Sequence, residues 1–301
     1  MNNGKEYSVE SQIWALRQYG DVGPRTFRAL MSKFGSPDAI HRASIEELAE
    51  INGLGKPRLQ KIFDSSDHLD EAEEFIESLK LRDIKCNTHY DGDYPAIFNE
   101  LNDAPPIFFY RGDLPKPGEK TVAIVGSHNA SGEGIIYAVE LAARLAVQSI
   151  SIVSGLARGI DTAGHVGALK AGGRTYAMIG SGLDNIFPEE NRVLAAEIAK
   201  NGALISEYSP DTKSSTGKLI ARNRLIVGLS QAVVIGEVFP NSNGTIDTAT
   251  FCHQLGKIMF ILLDGIERSE HDNSGVQKII DLGAIPVTLE DGIDIIVKSL
   301  V

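Results

Sequence analysis

Residues 151–169 read Ser-Ile-Val-Ser-Gly-Leu-Ala-Arg-Gly-Ile-Asp-Thr-Ala-Gly-His-Val-Gly-Ala-Leu. An apolar run stops at a Ser-Gly turn, small residues and one arginine follow, and a helical stretch begins. A strand, a loop and a helix in that order belong to an open α/β sheet, whose ligands bind at the carboxyl ends of its strands. Ser154, Gly155, Arg158 and Gly159 fall on that loop. Helix-start N–H groups and an arginine side chain both suit a phosphate.

From Lys120 onward the strand–helix alternation repeats, which is the rhythm of a parallel sheet. Strands are expected at 121–125, 150–153, 175–179, 203–206, 232–235, 258–263 and 285–287. Helices are expected at 135–147, from the opening motif through Leu169, at 191–200, 245–255 and 275–282, and one more starting at Arg224. Four strands end in Gly- or Ser-bearing turns: Gly126-Ser127-His128, Ser154-Gly155, Gly180-Ser181-Gly182 and Asn243-Gly244-Thr245. In a doubly wound sheet such turns gather along one rim. Glycine there lets a ligand approach the backbone, and the helix starts offer N–H donors. Tight strand-to-helix turns also need glycine for themselves, so it is the repetition in register that points to phosphate. Arg222-Asn223-Arg224 adds two forked donors flanking an amide; an arginine–carboxylate network is the other reading of it. Asn191-Arg192 is a third candidate contact. No GxGxxG follows the first strand and no GxxxxGK[ST] occurs, which argues against nicotinamide, flavin and P-loop chemistry.

The N-terminal part reads differently. Over 1–66, Trp14, Leu16, Phe27, Leu30, Met31 and Phe34 recur at roughly helical spacing, and Ser44-Ile45-Glu46-Glu47 fits a capping box. Ile51-Asn52-Gly53-Leu54-Gly55-Lys56 resembles the turn of a helix-hairpin-helix unit, with Asp21-Val22-Gly23-Pro24 a weaker echo of it. Such turns face a DNA phosphate with backbone N–H groups; a helical packing module that touches no DNA is equally compatible. An acidic connecting helix is expected over 67–83. The α/β domain follows over 84–301, entered through a short strand at 107–110.

The net charge of −11 argues against strong nucleic-acid binding through bulk charge, though not against a local basic groove. Residues 1–115 carry 13 Lys/Arg against 20 Asp/Glu, so the acidity is concentrated there. The N-terminus lacks the order of a signal peptide, and no apolar run is long enough to span a membrane. Cys86 and Cys252 lack CxxC or Cys/His spacing, so reduced thiols of a cytoplasmic protein are expected, with no metal and no cofactor.

Ser154-Gly155-Leu156-Ala157-Arg158-Gly159-Ile160-Asp161, with His165, Gly167, Ala168 and Leu169 after it, resembles the signature of the DNA-processing protein A family (DprA, or Smf). The resemblance extends through Val122-Ala123-Ile124-Val125-Gly126-Ser127, Gly182-Leu183-Asp184 with Phe187-Pro188 and Asn191, Ile205-Ser206-Glu207-Tyr208, Arg222-Asn223-Arg224 with Gly228-Leu229-Ser230, then Glu237, Gly244, Thr248 and Ala249. It covers about residues 105–290. It implies an extended Rossmann-like, doubly wound, mostly parallel sheet after a small all-helical domain of the helix-hairpin-helix or SAM-like kind. It also implies a non-catalytic, homodimeric protein of DNA recombination and natural transformation. Such a protein protects single-stranded DNA and loads the RecA recombinase. The implied binding residues are Gly126, Ser127, His128, Ser154, Gly155, Arg158, Gly159, Gly180, Gly182, Asn191, Arg192, Arg222, Asn223, Arg224, Gly244, Thr245 and Thr248. Exposed arginines at 158, 192, 222 and 224 are expected to converge on one positive surface.

Members usually carry Arg where this chain has His128, replacing a permanent charge by a group mostly neutral at pH 7. Their Phe-Pro before Arg-Asn-Arg is here Leu219-Ile220, their Pro-Gly after the late strand is Asp264-Gly265, and Glu189 and Glu190 stand where a basic residue would help. The form expected is one without a C-terminal winged helix. The rival class is an enzyme: phosphoribohydrolases of the LOG type use Pro-Gly-Gly-x-Gly-Thr-x-x-Glu with a catalytic glutamate. Here Pro240-Asn241-Ser242-Asn243-Gly244-Thr245-Ile246-Asp247-Thr248 puts a threonine at that position. A nucleotide-sensing module would keep the same rim.

Overall fold

A computed structural model describes residues 5–264 and 273–300. Gly265, one of the departures noted above, lies outside the described residues. The chain divides into two units: Met1–Tyr94 with Asn102–Phe109, and Pro95–Leu101 with Tyr110–Val301.

Among the described residues the first unit has six α-helices: α1 (Val9–Gln18), α2 (Pro24–Phe34), α3 (Pro37–Arg42), α4 (Ile45–Leu48), α5 (Lys56–Asp64) and α6 (Leu69–Leu79). Strand β1 (Lys85–Thr88) follows, and the chain changes units within β2 (Ile107–Gly112). The capping box forms as read: the Ser44 side chain accepts from the Glu47 N–H and Glu47 accepts from the Ser44 N–H. Gly23 and Gly55 cap α2 and α5 without a side-chain bond, each followed by proline in the first turn. The two hairpin turns are tied together, since Arg58 Nη2 donates to the Asp21 carbonyl at 3.1 Å. The acidic helix expected over 67–83 is α6, packed within this unit. Trp14 stacks on Phe75 with ring centroids 4.7 Å apart, and Glu73 accepts from the backbone and hydroxyl of Ser8 and the hydroxyl of Ser11. Helix α6 is therefore acidic on its outer side, at Asp70, Glu71, Glu74 and Glu77, and packed on its inner one.

Among the described residues the second unit holds seven parallel strands: β3 (Thr121–Val125), β4 (Ser151–Ser154), β5 (Thr175–Met178), β6 (Gly202–Ser206), β7 (Ala232–Ile235), β8 (Ile258–Leu262) and β9 (Ile285–Val287). Their order is β6-β5-β4-β3-β7-β8-β9, each neighbouring pair parallel. The chain winds outward from β3 in one direction and then from β7 in the other, so the fold is doubly wound with its switch point between β3 and β7. Helices α7 (Gly132–Val147), α8 (Ile160–Lys170), α9 (Arg192–Lys200), α10 (Thr216–Gly228), α11 (Asn243–Gln254), α12 (Ser274–Asp281) and α13 (Gly292–Ser299) complete it. The central strands are buried on both faces and read as continuous Val/Ile/Ala runs, as parallel strands under helices do. One core cluster joins Val122, Ile124, Leu141, Leu145, Ile152 and Val234. Helices α7 and α8 approach closely because Gly167 lies against the Val139 carbonyl and Ala142.

One expected boundary is corrected. Helix α10 starts at Thr216, not at Arg224, because Ser215 caps it by accepting from the Lys218 N–H at 3.4 Å. Arg222 and Arg224 therefore sit in the helix interior, two residues apart and on different faces.

Candidate nucleic-acid interface

The carboxyl ends of β3, β4, β5 and β7 bring the predicted turns to one rim of the second unit. At the switch point, where a nucleotide would enter an α/β sheet, the chain fills the crevice itself. The Ser127 N–H donates to the Glu237 carbonyl at 2.8 Å, and the Ile160 N–H donates to the Ser127 carbonyl at 3.2 Å. A Cβ on Gly126 would lie 2.6 Å from the Ile160 side chain and 2.9 Å from the Glu237 carbonyl. Gly159, at φ +69°, lies against the Ser127 carbonyl. These glycines serve close contact of the chain with itself.

The same holds along most of the rim. Ser154 Oγ is buried and donates to the Ile124 carbonyl at 2.7 Å. Gly180 lies against Leu219, and Gly182 against the carbonyls of Ser209 and Pro210. Buried Asn191 donates to the Leu156 carbonyl at 2.9 Å and to Thr162 Oγ1 at 2.8 Å. Thr245 is buried, and Thr248 Oγ1 donates to the Gly244 carbonyl at 2.9 Å within α11. Gly244 is exposed and open, with nothing within 4 Å of a Cβ placed there.

The arginines divide into two pairs. Arg222 is only 4 % exposed, and its Nη1 donates to the carbonyls of Gly155 and Met178 at the ends of β4 and β5. It faces buried Asp161, which accepts from the N–H groups of Gly155 (3.1 Å) and Ala157 (3.4 Å). Burial raises the Asp161 carboxyl pKa, opposed by the Arg222 charge. Gly155 is obligatory here, since a Cβ would fall 2.6 Å from Asp161 Oδ2 and 2.7 Å from Arg222 Cζ. Asn223 bonds the Arg222 Nε and the Gly244 carbonyl. Buried Arg224 pairs with buried Glu207 at 2.6 Å. The expectation that Arg222 and Arg224 lie on an exposed positive surface is therefore corrected: a helix start would have displayed them, whereas the helix interior turns them into the protein. Their charge is spent on carbonyl ends and carboxylates that would otherwise be buried without partners.

Arg158 and Arg192 are the opposite case, with side chains 64 % and 65 % exposed. Arg158 Nε donates to Glu190, and Arg192 lies 3.8 Å from Glu189. The bond from Arg158 holds the Glu190 carboxyl below its usual range. His128 and Asn129 are exposed on the β3–α7 turn. Two cations missed in the sequence stand with them: exposed Lys213, and half-buried Lys218, which lies over the Tyr208 ring and donates to the Lys213 carbonyl at 3.0 Å. The first turn of α10 has no acidic residue, although a helix start ordinarily favours one. Among the described residues no group of His, Cys, Asp and Glu could hold a metal, and no helix is long and apolar enough to cross a membrane.

The second unit is thus a doubly wound α/β sheet whose switch point is filled by its own chain, with exposed cations on the loops at its strand ends. Residues 85–298 match the family described as DNA recombination-mediator protein A, and residues 20–65 match a SAM-like helix-hairpin-helix tandem. The chain belongs to the DNA recombination-mediator protein A (DprA/Smf) family, a family of DNA-processing proteins. It is 33% identical over 284 residues to the DNA processing protein DprA of Streptococcus pneumoniae, covering 92% of this chain and 94% of that one. Protein Smf of Synechocystis is 32% identical over 299 residues, covering 92% and 74%. The X-ray structure of the S. pneumoniae protein superposes with a TM-score of 0.79 at 28% identity, over 96% of this chain and 98% of that one. The Helicobacter pylori DNA processing protein A, whose structure addresses its single-stranded DNA binding mode, aligns with a TM-score of 0.62 at 28% identity, over 72% and 98%.

Proposed function

We propose that this chain binds single-stranded DNA across the exposed strand ends of its second unit and passes it, without chemistry, to a RecA-type recombinase, acting as a homodimer. The observation that carries the binding reading is the filled switch point. With Ile160 and the Glu237 carbonyl closing the crevice, an anionic ligand lies along the rim, where Arg158, Arg192, Lys213, Lys218 and His128 are the side chains that face it. Open backbone at Gly217 and Gly244 lets a strand approach closely. Such contacts are to phosphate and are indifferent to sequence. The family description, recombination mediation, supports the recombinase as recipient, and the H. pylori relative supports the single strand as ligand.

The absence of catalysis rests on the helix that would carry the phosphoribohydrolase carboxylate. Thr248 stands at that position, and its hydroxyl is engaged by the Gly244 carbonyl. Fluorescence anisotropy of a labelled oligo(dT) across a salt series tests the proposal. The affinity should fall log-linearly with salt, with a slope of about −0.7 per phosphate contact, so about −2 to −3 for three or four cations. Release of free base from nucleotides, or binding independent of salt, would overturn it.

A further inference from the structure

The loop between β5 and α9 carries an aromatic side chain that the packing of the protein does not use. Phe187 is 49 % exposed, although its neighbours are fixed: Pro188 is buried and Ile186 is half-buried. The loop therefore has anchors on the inside and still turns this ring outward. Among the described residues, the ring stacks on no other aromatic group and lies under no cation. Its position relative to the exposed cations is set by the residues that follow it. Asn191 donates to the Leu156 carbonyl and to Thr162 Oγ1, and Glu190 accepts from Arg158. Three hydrogen bonds thus stitch the Phe187 loop onto the loop that displays Arg158 and the first turn of α8 after it. Arg192 begins the helix that continues the same segment. An unused aromatic face beside two exposed arginines matches a nucleobase, which presents a π-face to the ring while its phosphates meet the guanidinium groups.

We propose that Phe187 is a stacking platform for a base of the bound strand, a proposal that rests on the single-stranded DNA reading above. It makes binding depend on the presence of bases as well as of phosphates, yet not on which bases, because every base offers a π-face. It also gives duplex DNA, whose bases are already stacked, no access to the ring.

The test compares oligo(dT) with an abasic oligomer of the same length and charge, at one salt concentration, for wild type, Phe187→Ala and Phe187→Trp. Wild type should prefer oligo(dT). Phe187→Ala should lose about tenfold on oligo(dT) and nothing on the abasic oligomer, while Phe187→Trp should keep the wild-type affinity and its indole emission should change on adding oligo(dT) only. Equal losses on both oligomers, or an unchanged Phe187→Ala affinity for oligo(dT), overturn the stacking role while leaving the phosphate reading intact. Failure of wild type to bind either oligomer overturns the single-strand reading and the stacking role with it.

Discussion

Arg158 with Arg192, and Arg222 with Arg224, look alike in the sequence: each pair lies near the end of a strand among glycines and an asparagine. In the structure they do opposite work. The first pair is two-thirds exposed and held by Glu190 and Glu189 on the surface. The second pair is buried, donating to the carbonyls of Gly155 and Met178 and to Glu207. The difference teaches that a basic motif reports a strand end, while the register of the helix carrying it decides whether its charge serves the ligand or the fold.

The largest expected effect falls on the buried pair. Arg222→Ala removes the donor to the carbonyls of Gly155 and Met178 and the charge facing buried Asp161, so it should cost about 3–5 kcal/mol of stability, read from urea denaturation. DNA binding by the fraction that stays folded should be little changed. A variant of full stability that fails to bind DNA would erase the distinction between the two pairs.

Acid sharpens the same comparison. His165 is buried beside Arg222, its Nδ1 2.6 Å from Thr175 Oγ1; burial, helped by the Arg222 charge, lowers its pKa to about 3. An unfolded chain protonates the same histidine near pH ~6.5. Between these values the unfolded state binds the extra proton, so stability is lost as the pH falls below about 6.5, by up to about 1.4 kcal/mol per pH unit. At pH 5 the loss from this one group should be about 2 kcal/mol. His165→Gln should flatten the stability curve between pH 7 and 5, and parallel curves for the two proteins would show that His165 does not carry the acid sensitivity.

The exposed pair should show the smallest change in stability and the clearest change in binding. Arg158→Ala with Arg192→Ala should leave the urea midpoint within about 0.5 kcal/mol of wild type and reduce the salt slope of single-strand binding by about 1.4, two contacts at about 0.7 each. The partner substitutions, Glu189→Gln with Glu190→Gln, should tighten binding at low salt, with the gain fading as salt screens the surface charges. A destabilised arginine double variant, or glutamine variants that bind more weakly at low salt, would place the exposed pair in the fold and not at the ligand.

Most of the strand positions were legible because buried parallel strands announce themselves as short apolar runs that stop at glycine. The Ser44–Glu47 box and the helical character of the first 66 residues were legible for a similar reason, since caps and helical periodicity are local. The acidic connecting helix was legible too, but not that Glu73 turns from its outer face to accept from Ser8 and Ser11 while Phe75 and Ala72 pack inward. Lys213 and Lys218 escaped notice, and Phe187 was read only as part of a motif, because nothing local marks a cation or a ring as outward-facing until the segments around it are anchored.

The sequence by itself determined the doubly wound sheet, the gathering of turns at its rim and the family, all consequences of period, turn chemistry and motif order along the chain. Only the tertiary structure decided which rim groups are available to a ligand. Ser215, eight residues before the middle of Arg222-Asn223-Arg224, starts α10 early and turns both arginines inward. Ile160, on a neighbouring helix, fills the crevice at the switch point. Exposure depends on what distant segments bring alongside a residue, and that is fixed only when the helices have packed onto the sheet.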